Sequence, residues 1–508
     1  MLSSAAFWLA VVIPVAGQQV IYVDQNATGP VHDGTTWCTA YLQVSEALPL
    51  AQAGDTVRVA DGVYKPDPTG LADPREATFT LTDGVRLEGG YAGCGAADPN
   101  ERDFEVFESV LSGDLDGNDG PNFFNRVNNS YTVVSILNLA TRPILDGFTI
   151  TGGNNNRASF CGGGICIDHA DPLVTNSRIK DNESMFYGGG VSTNHSNCQI
   201  IDSHIERNRS GIEGGAMYFR FSTPTVERCV VAENNSKVGA GISLFFGDLL
   251  LRASVIRKNT SVGNGSGAGV SIDFSFADIQ DCVVSDNQAR GGAGLIALDS
   301  ALTLTNCTIF RNVETGGLRG AGLDVDETPS IIRNCIFWQN SASGLTHQTA
   351  QIDRGSISPD DTQIHYSCVQ GWNGFFGGVG NFGDDPLFLA PNGADGLPGT
   401  PDDDLRLSAA SSSINKGDPF LPRETHVDLE GYLRVQGCRT DLGAYETATQ
   451  QALGDFDGDG DRDLNDIAGF QICLQPSAFP ACICAFDFDG DGALDLTDFS
   501  TLLPISGP

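Results

Sequence analysis

The chain has 508 residues, and its 29 Lys and Arg stand against 64 Asp and Glu, a formal net charge of −35. That balance excludes the basic footprint that nucleic acid or an anionic lipid surface requires. Hydrophobic residues make up 40%, and there are 62 glycines against only 3 methionines, which suits a turn-rich β protein with a sizeable core and disfavours a helical bundle or a disordered chain.

Residues 1–17 carry the only long apolar run, from Ala5 to Ala16. It is too short to span a bilayer comfortably and ends in the small residues Val15-Ala16-Gly17, as at a signal-peptidase site. We read 1–17 as a removable export signal, which makes the mature protein secreted or cell-surface and not an integral membrane protein. Export permits disulfides among the 14 cysteines. Cys161 and Cys166 are close enough for a local bridge, as are two of Cys473, Cys482 and Cys484; the remaining connectivity stays open.

The middle of the chain is periodic. Segments of six residues end in Asn182, Asn208, Asn234, Asn259, Asn287, Asn312 and Asn340, spaced by 26, 26, 25, 28, 25 and 28. A glycine-rich motif precedes Ile165, Val191, Met217, Ile242, Val270, Leu295 and Leu323, with the same series of spacings. Two motifs holding one register over seven repeats are not a coincidence. Each segment opens on Ser or Cys, and two residues later comes an apolar residue, as in Cys229 and Val231; that period of two marks a strand. The glycine motif opens a second strand, and a third lies between, as in Leu302-Thr303-Leu304. Three short strands per ~26 residues without a helix describe one coil of a parallel β-helix. Stacked coils explain the asparagines, whose amides can bond to the next coil. The glycines then supply sharp corners, and the Cys positions act as small apolar core filler.

Earlier motifs fit the same picture: Ile21-Tyr22-Val23-Asp24, Asp33-Gly34-Thr35-Thr36-Trp37, Gly54-Asp55-Thr56-Val57, Leu87-Glu88-Gly89-Gly90-Tyr91 and Leu145-Asp146-Gly147-Phe148. Together with the repeat they resemble the right-handed parallel β-helix proteins of the pectin-lyase-like superfamily, over residues 18–375. The resemblance implies a short capping helix within Ala40 to Ala53. Residues 376–448, with Asp384-Asp385-Pro386, Ser413-Ile414-Asn415-Lys416-Gly417 and Asp441-Leu442-Gly443-Ala444, resemble the choice-of-anchor Q segment that follows such β-helices, and are expected to cap the last coils.

Residues 449–508 contain two twelve-residue acidic loops, 455–466 and 487–498. Their spacing matches a calcium loop, with oxygen ligands at positions 1, 3, 5, 9 and 12, a backbone carbonyl at 7 and Gly at 6. The first set is Asp455, Asp457, Asp459, Asp461 (carbonyl), Asp463 and Asp466. The second is Asp487, Asp489, Asp491, Ala493 (carbonyl), Asp495 and Asp498. Helices are expected over 467–474 and 499–503. The Asp-ended pair resembles a type I dockerin module, which implies calcium as the cofactor and a cohesin-like or cell-surface protein as a docking partner. Arg462 departs from the apolar residue usual at position 8, and residues 475–485 are a Cys-bearing insert. The expected fold class is therefore mainly β, a right-handed parallel β-helix with an N-terminal helical cap and a small α-helical calcium-binding module.

No catalytic residue is assigned. Arg178-Ile179-Lys180 matches part of a polygalacturonase-like site, but no Gly-His-Gly accompanies it and the repeat explains it as one face of a coil. Asp168-His169 and Asp114-Leu115-Asp116 could supply part of the calcium-carboxylate cluster of a pectate-lyase-like site, but the latter lacks the Gly of a calcium loop and reads as a solvated turn, as does Asp402-Asp403-Asp404. The expectation is a carbohydrate-associated protein that binds a glycan or forms a surface structure, with Tyr218, Phe219, Phe245 and Phe246 as candidates for stacking on sugar. The alternative is a polysaccharide lyase or glycoside hydrolase tethered through the dockerin-like module.

Overall fold

The computed structural model describes residues 18–316, 320–355, 361–419, 427–434, 439–447, 453–457, 461–474, 480–488 and 493–502. The expected export signal (1–17) and the loop residues Asp459, Asp489 and Asp491 lie outside the described residues.

Alternating burial makes each repeat segment a strand: Ile179 is buried, while Arg178 and Lys180 point out. Parallel pairing then stacks equivalent segments. Ile179 pairs with Ile205, and the chain of partners continues through Val231, Ile256, Val284, Ile309 and Phe337. This is the register that aligning the asparagines predicts. The coils build three large parallel sheets of twelve, eleven and ten strands, here called sheets 1, 2 and 3. One coil shows the path: Leu173–Thr175 in sheet 1, Arg178–Lys180 in sheet 2, Val191–Asn194 in sheet 3, then Gln199–Ile201 back in sheet 1. A fourth, smaller sheet adds two-residue strands such as Glu183–Ser184 between sheets 2 and 3, so a coil has four strands where three were expected. Each fully buried Ile or Val of the interior column is worth roughly 1.5–3 kcal/mol.

The asparagine ladder closes the corner after sheet 2. Each Asn is buried. Its Nδ2 donates to the next Asn Oδ1 at 2.9–3.2 Å, from Asn182 to Asn340, and Gln351 Oε1 receives the last bond at 2.8 Å. Left-handed corners recur from coil to coil. One is the residue before each Asn, as at Arg207 (φ 52°) and Lys258 (φ 52°); another is the first glycine of the motif, as expected, at Gly188 (φ 57°), Gly214 (φ 64°) and Gly267 (φ 62°). Among the motif glycines, Gly190 is required because a Cβ there would lie 2.7 Å from the Ala216 carbonyl of the next coil. The Cys column packs in the apolar core as expected, and the Ser/Cys column is hydrogen-bonded as well. Ser203 Oγ donates to Ile201 O, and Cys229 Sγ to Glu227 O, while the Cys229 backbone N–H donates to Ser254 Oγ of the next coil. Burial pushes the Cys229 thiol up to about 12, so it is inert.

Coil length varies on one side only. From each apolar residue of the glycine motif to the next Ser or Cys, as from Val270 to Cys282, the interval is always 12 residues. Every insertion falls between an Asn and the following glycine motif, such as the seven-residue strand Thr260–Ser266.

At the N-terminal end the capping helix is confined to Val44–Ala47 with a 3₁₀ turn to Leu50, and Val44, Ala47 and Leu48 pack on the core. Phe376 and Trp372 pack on the core at the other end. The described parts of residues 384–447 pack on the outer face of sheet 2. There Leu405, Leu407, Leu442 and Ala444 pack on Val283, Phe310, Ile336 and Trp338. Arg434, fully buried, pins the segment through Asp281 at 3.3 Å and Glu446 at 4.0 Å. Disulfides join Cys38–Cys94, Cys161–Cys166 and Cys473–Cys482. No helix among the described residues is long and apolar enough to cross a membrane.

Candidate functional site

The turn from sheet 3 to sheet 1 repeats a left-handed residue in every coil: His169, His195, Phe221, Phe246, Phe274 and Asp299, with φ between 46° and 53°. A bulky residue in this region is strained. The residue after it turns inward and bonds to the next coil, as Ser196 N–H does to Ser222 Oγ at 3.2 Å and Ser275 N–H to Ser300 Oγ at 3.1 Å. The left-handed side chain is thereby driven outward. Its neighbours stack: His195 on Phe221 at 5.1 Å, Phe221 on Phe246 at 5.6 Å, Phe246 on Phe274 at 5.2 Å, with planes within 19°. These rings stay open to solvent, at 39%, 44% and 49% exposure for Phe221, Phe246 and Phe274. They line a groove of about 810 Å³ together with Phe276, Asp248 and Asp299.

Of the four aromatics singled out in the sequence, only Phe246 and Phe245 lie on this surface; Phe245 packs edge-on against Phe246 at 4.5 Å. Tyr218 and Phe219 are buried. Phe221, Phe274 and Phe276 were missed, although the left-handed column keeps the spacing of the Asn column (26, 25, 28 and 25 from His195 to Asp299).

Beside the groove stand two half-buried acids. Phe245 pairs in register with Asp273, whose carboxylate accepts from Ser271 Oγ at 3.2 Å. Glu213 accepts from Ser243 Oγ at 3.4 Å, and Ser243 and Ser271 are register partners. Burial raises the pKa of both acids; the Asp273 charge adds to the shift at Glu213, and the Asp299 charge to that at Asp273.

The other sequence candidates are engaged structurally. Arg178 pairs with Glu105 at 2.7 Å and Lys180 with Glu108 at 3.7 Å. Asp168 meets His169 and Asn194. Asp114 accepts three backbone N–H groups of its own turn, and Asp403 holds Arg311.

In the C-terminal module, carboxylate oxygens of Asp455, Asp457 and Asp466 lie within 4.8 Å of one another, as do those of Asp461, Asp463 and Asp466. Oxygens bound to one calcium ion at roughly 2.3–2.6 Å sit within about 5 Å of each other, so this all-oxygen set fits. The duplication is visible in the bonds. Asp466 accepts from Phe456 N–H at 2.5 Å and Asp463 N–H at 2.7 Å; Asp498 accepts from Phe488 N–H at 2.8 Å and Asp495 N–H at 3.0 Å. Asp463 also caps the helix Leu464–Cys473, which starts three residues before the expected 467, and Leu496–Leu502 begins three before 499 in the same way. The insert holds a further helix, Pro480–Phe486. Arg462, the departure in the first loop, lies over the Phe488 ring of the second at 5.2 Å. Asp487 and Ala493 are described, but their loop partners Asp489 and Asp491 lie outside the described residues.

Residues 125–274 and 249–371 match the family model described as a right handed beta helix region, and the solenoid is a right-handed parallel β-helix. Similar solved structures include the pectate lyase Pel9A (14% identity, TM-score 0.48, covering 85% of this chain and 97% of that one). A rhamnogalacturonan lyase is 9% identical, with TM-score 0.37, and covers 77% of this chain and 97% of its own. The A-module of the mannuronan C-5 epimerase AlgE4 of Azotobacter vinelandii is 14% identical, with TM-score 0.29, covering 71% and 89%. No curated protein sequence matches the chain.

Proposed function

We propose that this is an exported carbohydrate-binding β-helix, holding a glycan along the Phe221–Phe246–Phe274 groove and attached through a calcium-organised C-terminal module. The stacked, exposed aromatic ladder carries the reading. Each ring occupies a strained left-handed position where Asn or Gly would serve the fold better, and each leaves apolar surface in water. Sugar C–H faces pack on such rings, and Asp248, Asp299 and Thr223 along the groove offer partners to sugar hydroxyls. Two acids, Asp248 and Asp299, line the groove against one cation beside it, Arg220 over the Phe221 ring at 4.8 Å, a balance that favours a neutral glycan over an acidic one. The test is affinity electrophoresis of the protein and Phe246→Ala against neutral and acidic polysaccharides. Retardation by a neutral glycan that the variant loses supports the reading; equal retardation of both proteins would end it.

Calcium, when bound, supplies a compact positive charge that draws the loop carboxylates of residues 455–466 together. Asp466 and Asp498 tie the ends of their loops by backbone bonds, and Asp463 and Asp495 fix the helix starts. Docking to a cohesin-like partner through residues 449–508 is the attachment this reading implies, and pull-down with and without chelator tests it.

A polysaccharide-degrading enzyme is the second reading, favoured by one observation: Glu213 and Asp273, two acids with raised pKa, stand two coils apart on one side of the solenoid. Raising a carboxyl's pKa suits it better to act as a general acid. Release of reducing ends from a bound glycan, abolished in Glu213→Gln and Asp273→Asn, would establish it; binding without turnover would leave the protein a binder.

A further inference from the structure

The segment docked on sheet 2 leaves part of that sheet uncovered. Val230, Val255 and Val283 are register partners on successive coils and form the floor of a cleft of about 280 Å³. Leu405 and Tyr445 from the docked segment close one side, with the turn Gly399–Pro401; His204 and Glu206 close the other. Arg257 stands two residues beyond Val255, hence on the same face. Its Nη1 donates to Gly399 O at 2.6 Å, which fixes the guanidinium at the cleft wall.

The charge pattern is unusual for so acidic a chain. Three other arginines have acids: Arg178 has Glu105, Arg207 has Asp181, and Arg311 has Asp286 and Asp403. Arg257 has only the carbonyl; among the described residues no carboxylate pairs with it. The two acids that line the cleft are committed elsewhere, Glu206 to Arg207 at 2.9 Å and Asp403 to Arg311 at 2.8 Å.

We propose that this cleft is a binding site, separate from the aromatic groove, for a small monocarboxylate with a compact apolar body. The guanidinium fork matches a carboxylate. Three valines and Leu405 favour an apolar body over a polyhydroxylated one. Glu206 and Asp403 disfavour a dianion such as a phosphate monoester, whose second charge Arg257 alone cannot balance. The volume sits at the small end of ligand pockets.

Saturation-transfer NMR on the full chain tests this with benzoate, benzamide and phenyl phosphate as probes. Benzoate is expected to bind, with benzamide and phenyl phosphate weaker by on the order of tenfold. Arg257→Gln should remove the advantage of benzoate over benzamide, and Val255→Phe, which fills the floor, should remove both; unchanged thermal midpoints confirm that the variants are folded. Benzoate binding that survives both variants, equal binding of the three probes, or no transfer from benzoate overturns the proposal.

Discussion

Asn234 shows how much of the fold rests on single side chains. Its Nδ2 donates to Ile205 O, Ala232 O and Asn259 Oδ1, and its Oδ1 accepts from the Asn208 backbone and side chain. Asn234→Ala strips these partners from buried groups, each worth roughly 1–3 kcal/mol when left unmade. The expected loss is about 2–4 kcal/mol in a urea titration, and an unchanged midpoint would show that water replaces the ladder. Arg434→Met leaves Asp281 and Glu446 facing each other in a dry site and should cost about 3–5 kcal/mol. Glu213 works in the opposite sense. Its folded pKa is raised by burial, so the native state holds this proton more tightly than the unfolded chain, and the advantage is lost as pH rises through the folded value. Glu213→Gln should therefore raise the thermal midpoint at pH 7 and leave it unchanged near pH 4; a gain of equal size at both would refute the burial argument. Asparagines were legible in the sequence because they recur in one chemical role. Arg434 was not, because its partner Asp281 lies 153 positions away, which no spacing announces.

At the level of the strand and the turn, the left-handed corner before sheet 1 separates stability from binding. Asn tolerates that conformation at little cost, while ring stacking returns roughly 0.5–1.5 kcal/mol per pair. Phe246→Asn should thus leave the unfolding midpoint within about 1 kcal/mol of the parent and weaken glycan binding by on the order of tenfold, as read by isothermal calorimetry. Collapse of the fold would mean that the ladder serves structure instead. Strand register was readable residue by residue, since a one-step slip would turn Ile205 and Val231 outward. The two-residue strands such as Glu183–Ser184 were not readable, because no period can be measured over two positions. The stacking surface was misassigned at Tyr218 and Phe219 because aromatic type alone does not say which side of a strand is buried.

For the molecule as a whole, two bodies of different physics share one chain. The β-helix buries a continuous apolar core. The C-terminal module has a small one, around Phe456, Phe470 and Phe486, tied by the Cys473–Cys482 disulfide and surrounded by clustered aspartates. Adding millimolar calcium should raise the unfolding temperature of the module and leave that of the β-helix unchanged, and Asp466→Ala should abolish the shift; calorimetry resolves the two transitions. A chelator-insensitive thermogram would remove calcium from the account. The repeat marked the middle of the solenoid, from Ile165 to Asn340, but not its first coils from Val20, nor that the described parts of residues 384–447 pack on its flank. That placement depends on an apolar outward patch, Phe310, Ile336 and Trp338, which the repeat pattern reads only as ordinary strand positions.

The constant 12-residue interval gives the solenoid one wall that accepts foreign sequence and one that does not. A peptide grafted at the exposed Val262–Asn264 bulge enters where natural coils already differ in length, so neither ladder changes frame. A single deletion between Phe246 and Ser254 instead rotates the next rung against the one below and breaks the ring column. A library builder would diversify the first wall for display and recode the second only by whole coils, each of which lengthens the ring column by one strand spacing, ~4.8 Å.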